Sequence, residues 1–331
     1  MKHLLGFVLA VALAAPVMAW AEEVVVYSSR KEHLIKPLFE RFTAQTGIEV
    51  RYLTDKAGPL IQRLAAEGRR TPADLLITVD AGNLWQAAQK GVLAKTESPL
   101  LNANVPPELR DPQGRWYGLS KRARTTVYST ERVQPSEITS YEALAEPQWR
   151  GRLCLRTSKK VYNQSLVATL IARHGQDKAE QVVRGWVDNL AVAPFSNDTK
   201  TMQGILAGQC DIGVVNTYYF GRLQKKDPGL KLALAWPNQG GSGVHINVSG
   251  AGITRHAKHP EAAKKLLEWL SSADAQGDFA GLNMEYPVNP QVEPSDLVQA
   301  WGDFQGDTLN VSEAGRLQAD AIRLMDRAGY R

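Results

Sequence analysis

An alternation of strand-like and helix-like segments constrains the fold of this chain more than any other feature. Residues 23–28 (EVVVYS) form a short β-branched run, and Lys31–Thr46 then repeats apolar side chains at helical spacing until Gly47. The alternation continues to residue 90 and returns over residues 150–220. This order predicts an α/β fold in which a parallel sheet is covered by helices on both faces.

The same patterns predict approximate bounds for single elements. Strands are predicted at residues 23–28, 48–52, 75–78, 120–129, 212–215 and 244–253, and helices at residues 31–46, 59–68, 83–90 and 260–271.

The first 21 residues have the organisation of a secretory signal. Lys2 precedes an uncharged apolar run at residues 4–15, and Ala19-Trp20-Ala21 matches an A-x-A cleavage pattern. The run is short for a membrane span, which needs roughly 20 residues; an uncleaved N-terminal anchor is the alternative. We therefore expect an exported protein that is cleaved near Ala21 and has no later membrane-spanning segment.

The length that remains after cleavage, about 310 of 331 residues, exceeds what one hydrophobic core comfortably supports. Two α/β lobes are therefore expected. No flexible linker separates them in the sequence, so crossing strands are expected to connect them. Ligands of open α/β sheets bind beyond the strand ends, which places the predicted site in a cleft between the lobes.

Charge and cysteine content narrow the classes of function. The formal net charge of +5 is mild and is not concentrated in a basic block, so a nucleic-acid partner is not expected. Cys154 and Cys210 are the two cysteines. An even pair in an exported chain indicates a disulfide, with two free thiols as the alternative.

Signatures of common enzymes are absent from the sequence, which contains no G-x-S-x-G, H-E-x-x-H, P-loop or G-x-G-x-x-G motif. His256 and His259 lie three residues apart, but their segment is basic and precedes Pro260, so a solvated turn is favoured over a metal site. We therefore expect a binding protein and not an enzyme.

The most informative segment is residues 210–221, CDIGVVNTYYFG. A strand over Ile212–Val215 leads to Asn216, a favourable helix N-cap, so Tyr218 and Tyr219 fall in a first helical turn. Neighbouring helical side chains point about 100° apart, so both hydroxyls can reach one point. Two phenolates suit a hard trivalent cation, because hard metals prefer oxygen donors. The alternative is a pair of half-buried tyrosines that pack against the edge of the lobe.

A second helix start offers a third tyrosine and a place for an anion. Residues 156–166 read RTSKKVYNQSL, and Tyr162 follows Ser158 near the start of the expected helix. Free N–H groups at a helix start can hold an anion, and the two lysines add positive charge. The alternative is an ordinary capped helix with a solvated lysine pair.

Arginines are further candidates for binding an anion. Arg122 and Arg124 share one face of a predicted strand, and guanidinium groups bind planar oxyanions through paired hydrogen bonds. Solvent-facing arginines on an edge strand are the alternative. Arg30 is expected at the mouth of the cleft, and Asn197 could add a hydrogen bond.

These segments together resemble the ferric-ion-binding proteins of bacterial iron ABC importers. The resemblance covers nearly the whole chain after the signal and includes a paired tyrosine in an N-x-Y-Y-[FW] context. It is carried by VVVYSSRKEHLIKPLFERFTAQTGI (24–48), TPADLLITVD (71–80), YGLSKRARTTVYS (117–129), TSKKVYNQSLVA (157–168), GQCDIGVVNTYYFG (208–221) and NMEYPVNP (283–290).

The resemblance implies a two-lobed periplasmic-binding-protein fold of type II with a hinge of crossing strands. The N-terminal lobe would comprise residues 22–124 plus about 246–298, and the C-terminal lobe residues 125–245 plus about 299–331. A protein of this family is expected to be a periplasmic monomer. It binds one Fe³⁺ in the cleft and passes it to an inner-membrane permease and its ATPase.

The same resemblance implies a set of ligands. Tyr218 and Tyr219 match iron ligands, and Tyr162 matches a third tyrosine ligand found in some subgroups. A synergistic anion, carbonate (or bicarbonate) or phosphate, often completes the site. The anion-binding candidates are Arg122, Arg124, Ser158 and Asn197.

Two regions depart from the family pattern. Many members carry His or His-Tyr after the first strand, where this chain has Lys31 and Glu32, and some carry Glu where Val79 stands, beside Asp80. We therefore expect three phenolates from the second lobe together with carbonate or water. Glu32 or Asp80 as a fourth ligand is the alternative ligand set, and an oxyanion or a small organic molecule is the alternative cargo.

Overall fold

The computed structural model describes residues 22–331, so the predicted signal and its cleavage site near Ala21 lie outside the described residues. Within residues 22–331, none of the helices combines the length and the apolar character that crossing a bilayer requires.

The strands are β1 (Glu23–Ser28), β2 (Glu49–Thr54), β3 (Leu75–Val79), β4 (Tyr117–Ser129), β5 (Leu153–Cys154), β6 (Ile212–Asn216), β7 (Leu232–Ala235) and β8 (Ile246–Ile253). The longer helices are α1 (Glu32–Thr46), α2 (Ala57–Glu67), α3 (Ala81–Gln89), α4 (Pro99–Asn104), α5 (Val161–Asp188), α6 (Asp198–Leu206), α7 (Thr217–Lys226), α8 (Pro260–Ser271), α9 (Ala273–Gly281) and α12 (Gln318–Arg327), with short α10 (Asp296–Gln299) and α11 (Glu313–Arg316) between the last two.

The elements predicted from periodicity are present, with bounds that shift by a few residues at most. Helix α8 has the predicted bounds, and Gly47 ends α1 in the left-handed conformation (φ 74°), which a residue without a Cβ adopts at little cost. The last strand begins at Ile246 and not at Val244, because Val244 forms an isolated bridge with Gly306.

The strands form one sheet in the order β2-β1-β3-β8-β4-β6-β5, and β7 also pairs with β4. Strand β1 is parallel to β2 and β3, and β5 is parallel to β6, as the alternation of strands and helices predicts. Strands β4 and β8 instead run antiparallel to their neighbours. The parallel pairing predicted from the alternation is therefore confirmed for β1 with β2 and β3 and for β5 with β6. Strands β4 and β8 are the predicted crossing strands, which pass between the halves of the molecule without returning through a helix.

Strand β4 is shared by both halves of the sheet. Its residues 117–123 pair with β8, and its residues 124–129 pair with β6 and β7. A hydrophobic core lies on each side of this change of partner. The first core includes Val26 and Leu266, and the second includes Trp149. The crossing at residues 123–124 therefore joins two cores, and a cleft can open where they meet.

The two cysteines form a disulfide, as predicted. Cys154 at the end of β5 is bonded to Cys210, which precedes β6, and their Cα atoms are 5.9 Å apart. Both side chains lie in a small apolar cluster with Met202 and Ile205 of α6. The bond therefore anchors the chain segment that leads into β6 and, through it, into α7.

We expect the variant Cys154→Ser/Cys210→Ser to fold but to lose stability. A disulfide that closes a loop of this length contributes up to about 4 kcal/mol in the chain-entropy model. The free energy of unfolding is measured by urea titration. Reductant should lower the stability of the wild type by a similar amount and leave the variant unchanged. A variant within about 1 kcal/mol of the wild type would mean that packing around Met202 already fixes this segment.

Candidate metal and anion site

A cavity of about 320 Å³ lies between the two cores. Arg30 lines it just after β1, Val79 at the end of β3, and Tyr218 just after β6, so it lies beyond the carboxyl ends of strands, where ligands of α/β sheets bind. A larger surface groove of about 1090 Å³ borders residues 95–117, but none of the predicted site residues lines it. The smaller cavity is the candidate site because four of the predicted site residues line it: Tyr162, Tyr218, Tyr219 and Arg122.

Tyr218 and Tyr219 occupy the first turn of α7, directly after β6, and both line the cavity. Their ring centroids are 4.4 Å apart. Asn216 holds the N-cap position, as predicted, but its side chain does not cap the helix. Its amide donates to the Tyr218 hydroxyl over 3.2 Å. Tyr218 is buried and Tyr219 is half-buried, so one phenol is fixed by the protein and the other faces the cleft.

Tyr162 reaches the same cavity from α5, in which it is the second residue. Burial raises the pKa of Tyr162 to about 12, and the neighbouring Tyr219 adds to the increase. Burial also raises the pKa of Tyr218 well above its ordinary value, with contributions from Tyr162 and Tyr219. Tyr162 and Tyr218 are therefore neutral phenols at neutral pH unless a bound cation favours the phenolate.

Arg122 is a buried cation without a hydrogen-bond partner. Its side chain is 1% exposed, it lines the cavity, and none of its three guanidinium nitrogens finds an acceptor among the described residues. The nearest carboxylate oxygen is Oδ2 of Asp80, 3.8 Å away. A buried charge is costly unless it is paired. The arrangement therefore leaves Arg122 free to receive an anion beside Tyr162, whose ring centroid is 5.7 Å from its guanidinium carbon.

Arg124 is also buried, but it does not line the cavity. Its guanidinium donates to Asp198 at 3.1 Å, to Asn216 at 3.1 Å and to Asn163 at 3.0 Å. Asn163 follows Tyr162 in α5, and Asn216 is the N-cap of α7. Arg124 therefore links the two helix starts that carry the tyrosines, and its donors are used within the protein.

Ser158 and Asn197, predicted to bind the anion, also lie outside the cavity lining. The Asn197 side chain accepts a hydrogen bond from the Lys200 backbone and so caps α6. The Ser158 backbone contacts Arg331 and Gln164. The Asn197 side chain is thus used for a local helix cap and is not at the cavity.

The first lobe brings cations to the cavity, whereas its two candidate carboxylates lie elsewhere. Glu32 is exposed and accepts a hydrogen bond from Tyr52 at 3.0 Å. Asp80 is fully buried and accepts hydrogen bonds from Ser165 and Asn247, and burial raises its pKa while Arg122 opposes the increase. Neither carboxylate lines the cavity, so the structure does not bring them to the tyrosines.

Several residues that line the cavity were not predicted from the sequence. Lys56 and Arg222 line the cavity, as do Asn283 and Glu285. Arg222 could have been found, because it lies four residues after Tyr218 and so shares its helix face. Its guanidinium carbon lies 5.1 Å from the Tyr218 ring centroid. The other three come from distant parts of the chain, so only the tertiary fold shows that they belong to this site.

Few types of side chain at this site could bind a metal ion. Within residues 22–331, no group of three or more His, Cys, Asp or Glu side chains is arranged to hold a metal ion. The cavity lining contains three phenols, and its carboxylate, Glu285, is already paired with Arg30. Phenolate oxygens are hard ligands and suit a hard, highly charged cation.

Residues 37–306 match the family of bacterial extracellular solute-binding proteins. The chain belongs to this family. Iron uptake protein A2 of Synechocystis is 43% identical to this solute-binding protein over 320 residues, which cover 94% of the chain and 91% of that protein.

Comparison with solved structures also finds iron-binding proteins. A Trichodesmium protein (IdiA, FutA) in complex with iron and citrate ligands matches with a TM-score of 0.91 and 42% identity, covering 93% of this chain and 100% of that one. An open form of the Mannheimia haemolytica ferric iron-binding protein A matches with a TM-score of 0.87 and 34% identity, covering 94% and 99% of the two chains. The predicted two-lobed fold and the resemblance to ferric-binding proteins are thereby confirmed.

The contrasting environments of the two arginines predict opposite effects of the same substitution. We expect Arg124→Met to destabilise this solute-binding protein by about 3–5 kcal/mol, because it breaks a buried ion pair and leaves its partners without a donor. We expect Arg122→Met to destabilise the ligand-free protein less than Arg124→Met does, because it breaks no hydrogen bond and removes only the 3.8 Å contact with Asp80. Urea denaturation of both variants measures the difference. Equal losses of stability would show that Arg122 has a structural role.

Proposed function

We propose that this chain is a periplasmic ferric-ion-binding protein that captures Fe³⁺ and delivers it to an inner-membrane ABC importer, composed of a permease and its ATPase. The observation that carries the proposal is that Tyr162, Tyr218 and Tyr219 line one cavity beside Arg122, whose guanidinium has no hydrogen-bond partner. Relatives that are 40% and 43% identical are named iron uptake proteins, which supports iron as the cargo.

The three tyrosines would bind the ion as phenolates. Three phenolates balance the charge of Fe³⁺, and a bound cation stabilises the deprotonated form despite the raised pKa values of Tyr162 and Tyr218. Arg122 would hold a synergistic anion, carbonate (or bicarbonate) or phosphate, against the metal, because its guanidinium can bind a planar oxyanion through two hydrogen bonds. The proposal does not include Arg124, Ser158 or Asn197, because they lie outside the cavity lining.

The cargo would be bound and released without chemical turnover. The relatives are named as uptake and binding proteins, and the cavity offers donors for a cation and an anion. Closure of the two lobes about the crossing strands is a hinge motion of a general type. In this proposal, the N-terminal lobe comprises residues 22–124 plus about 246–298, and the C-terminal lobe comprises residues 125–245 plus about 299–331. We also include cleavage of the signal near Ala21 and a monomeric mature protein.

The visible spectrum tests the proposal. Ferric iron and bicarbonate added to the purified protein should produce a phenolate-to-iron charge-transfer band. Tyr218→Phe and Tyr219→Phe should each weaken or abolish the band and lower the affinity for iron by about tenfold or more, since even indirect partners of a metal contribute that much.

Tyr286→Phe is the matched control, because Tyr286 is buried, its hydroxyl has no partner, and it does not line the cavity. This variant should keep the band. If Tyr218→Phe takes up iron as the wild type does, or if iron precipitates with no band, the site binds an oxyanion or an organic molecule instead.

The affinity for iron should fall as the pH falls. Burial raises the pKa of Tyr162 to about 12 and raises that of Tyr218 as well, so the metal-free form holds the protons that iron must displace. Lower pH favours the protonated, metal-free form. Competition with a chelator of known affinity, corrected for the chelator's own protonation, should give at least a roughly tenfold loss between pH 8 and pH 5. An affinity that is flat over this range contradicts phenolate ligation.

A further inference from the structure

Helix α7, which carries Tyr218 and Tyr219, has a glycine in its interior. Gly221 lies three residues after Tyr218, so the two positions are neighbours on the helix surface. Glycine is unfavourable there, because it loses more conformational freedom on folding than any other residue. A Cβ atom at this position would lie 2.8 Å from Cζ2 and 3.0 Å from Cη2 of Trp301, whereas carbon atoms pack about 3.5–4.0 Å apart. Gly221 therefore lets the indole ring of Trp301 lie directly on the helix backbone.

The ring of Trp301 is held against α7 by several contacts. Its Nε1 donates a hydrogen bond to Oε1 of Gln224 over 2.8 Å. The ring packs nearly perpendicular to that of Phe220, with the centroids 6.0 Å apart. The backbone carbonyl of Trp301 accepts a hydrogen bond from Nε1 of Trp236 over 3.3 Å. Both the backbone and the ring are thus fixed, so the indole cannot easily swing away from α7.

Trp301 also packs against Tyr286, which is attached to the other half of the sheet. The two ring centroids are 6.2 Å apart and the planes are inclined by 67°. The backbone N–H groups of Tyr286 and Lys121 each donate to the carbonyl of the other over 2.8 Å. Lys121 lies in the part of β4 that pairs with β8, on the side of the first core. The indole is therefore a contact between α7, which follows β6 in the second half, and a segment that is fixed to the first half.

The segment around Tyr286 reaches the same cavity as the tyrosines of α7. Asn283 and Glu285 line the cavity. Sδ of Met284, which stands between them, would lie 3.1 Å from a Cβ atom on Gly221. The separation between α7 and this segment therefore affects the width of the cavity in which the phenols lie.

We propose that Trp301 is a positioning residue for iron binding, which acts as a spacer between α7 and residues 283–286. This inference rests on the proposed function, because Tyr218 and Tyr219 are the ligands whose placement the spacer determines. A methyl group added at Gly221 must move the indole and the helix apart by roughly 0.5–1 Å to restore normal carbon–carbon contacts. A binding site loses its productive geometry when its groups are displaced by about 0.5 Å. The absence of a side chain at Gly221 is therefore a requirement of the metal site.

The variant Gly221→Ala tests whether this contact positions the tyrosines. Its affinity for Fe³⁺ in the presence of bicarbonate should fall by about tenfold or more, the size found when indirect partners of a metal are changed. Competition with a chelator at fixed pH measures the affinity. The phenolate-to-iron band should also shift or weaken, because the geometry around the metal changes. Gly221→Ala/Trp301→Phe should recover most of the affinity, since phenylalanine lacks the outer indole atoms that the added methyl group meets.

Gly204→Ala is the matched control. Gly204 is also a buried glycine inside a helix, α6, and a Cβ atom there would lie 2.7 Å from Cζ of Phe195. Neither Gly204 nor Phe195 lines the cavity. This variant should lose stability in urea much as Gly221→Ala does, but it should bind iron with the affinity and the band of the wild type.

Trp301→Leu is a second test that introduces no clash. It removes the spacer, so the band of the folded variant should shift. A wild-type band in Trp301→Leu would overturn the proposal even if Gly221→Ala did not fold. Equal losses of iron affinity in Gly221→Ala and Gly204→Ala, or no recovery with Trp301→Phe, would also overturn it. Absence of the band in the wild type with every anion would instead overturn the proposed function.

Discussion

The buried contacts of Arg124 hold together the two helix starts on which the site depends. Its guanidinium binds Asn163 beside Tyr162, Asn216 before Tyr218, and the carboxylate of Asp198. Asp198 in turn accepts a hydrogen bond from the Asn216 backbone at 3.0 Å. The tyrosines come from segments more than 50 residues apart in sequence, so their convergence depends on this network. Breaking such a buried pair is costly even where desolvation offsets much of its attraction, because removal of one partner leaves a buried charge uncompensated.

Strand β4 explains why two arginines separated by one residue have different environments. The strand exchanges its pairing partner between Ala123 and Arg124. Arg122 therefore lies on the part that pairs with β8, at the cleft, while Arg124 lies on the part that pairs with β6, inside the second lobe. One continuous strand thus places a free cation in the cavity and a paired cation behind the tyrosines. It also couples the geometry of the site to the crossing point between the cores.

The sequence predicts local structure and the tyrosine pair well, because both depend on short-range patterns. Periodicity identifies the helices, and the strand-to-helix turn at Asn216 is enough to orient Tyr218 and Tyr219. The sequence does not indicate that Arg122 and Arg124 have different roles, because residues two apart on a strand share a face. Only the contact of Arg124 with Asp198, which is distant in sequence, distinguishes them.

Other errors have the same physical origin. Asn197 was expected to add a hydrogen bond at the site, but its side chain caps α6 and so serves local structure. Lys56 was not predicted as a site residue, because a lysine before a helix is usually solvated. Only the fold brings the start of its helix to the cavity. The antiparallel direction of β8 could not be predicted either, because the sequence pattern of an apolar strand does not indicate the direction in which the strand runs.

The placement of donors determines what can hold the two lobes together. The three phenols all belong to elements on the side of α5 and α7, whereas the lysines of α1 and α2 come from the other side. On the proposed function, Fe³⁺ bound by the phenolates contacts one lobe. Attraction across the cleft would then act between the anion held at Arg122 and the lysines that precede α1 and α2, Lys31 and Lys56, which line the cavity but are exposed to solvent. Solvent and salt weaken such an attraction, so closure would depend on the charge of the anion as well as on the metal.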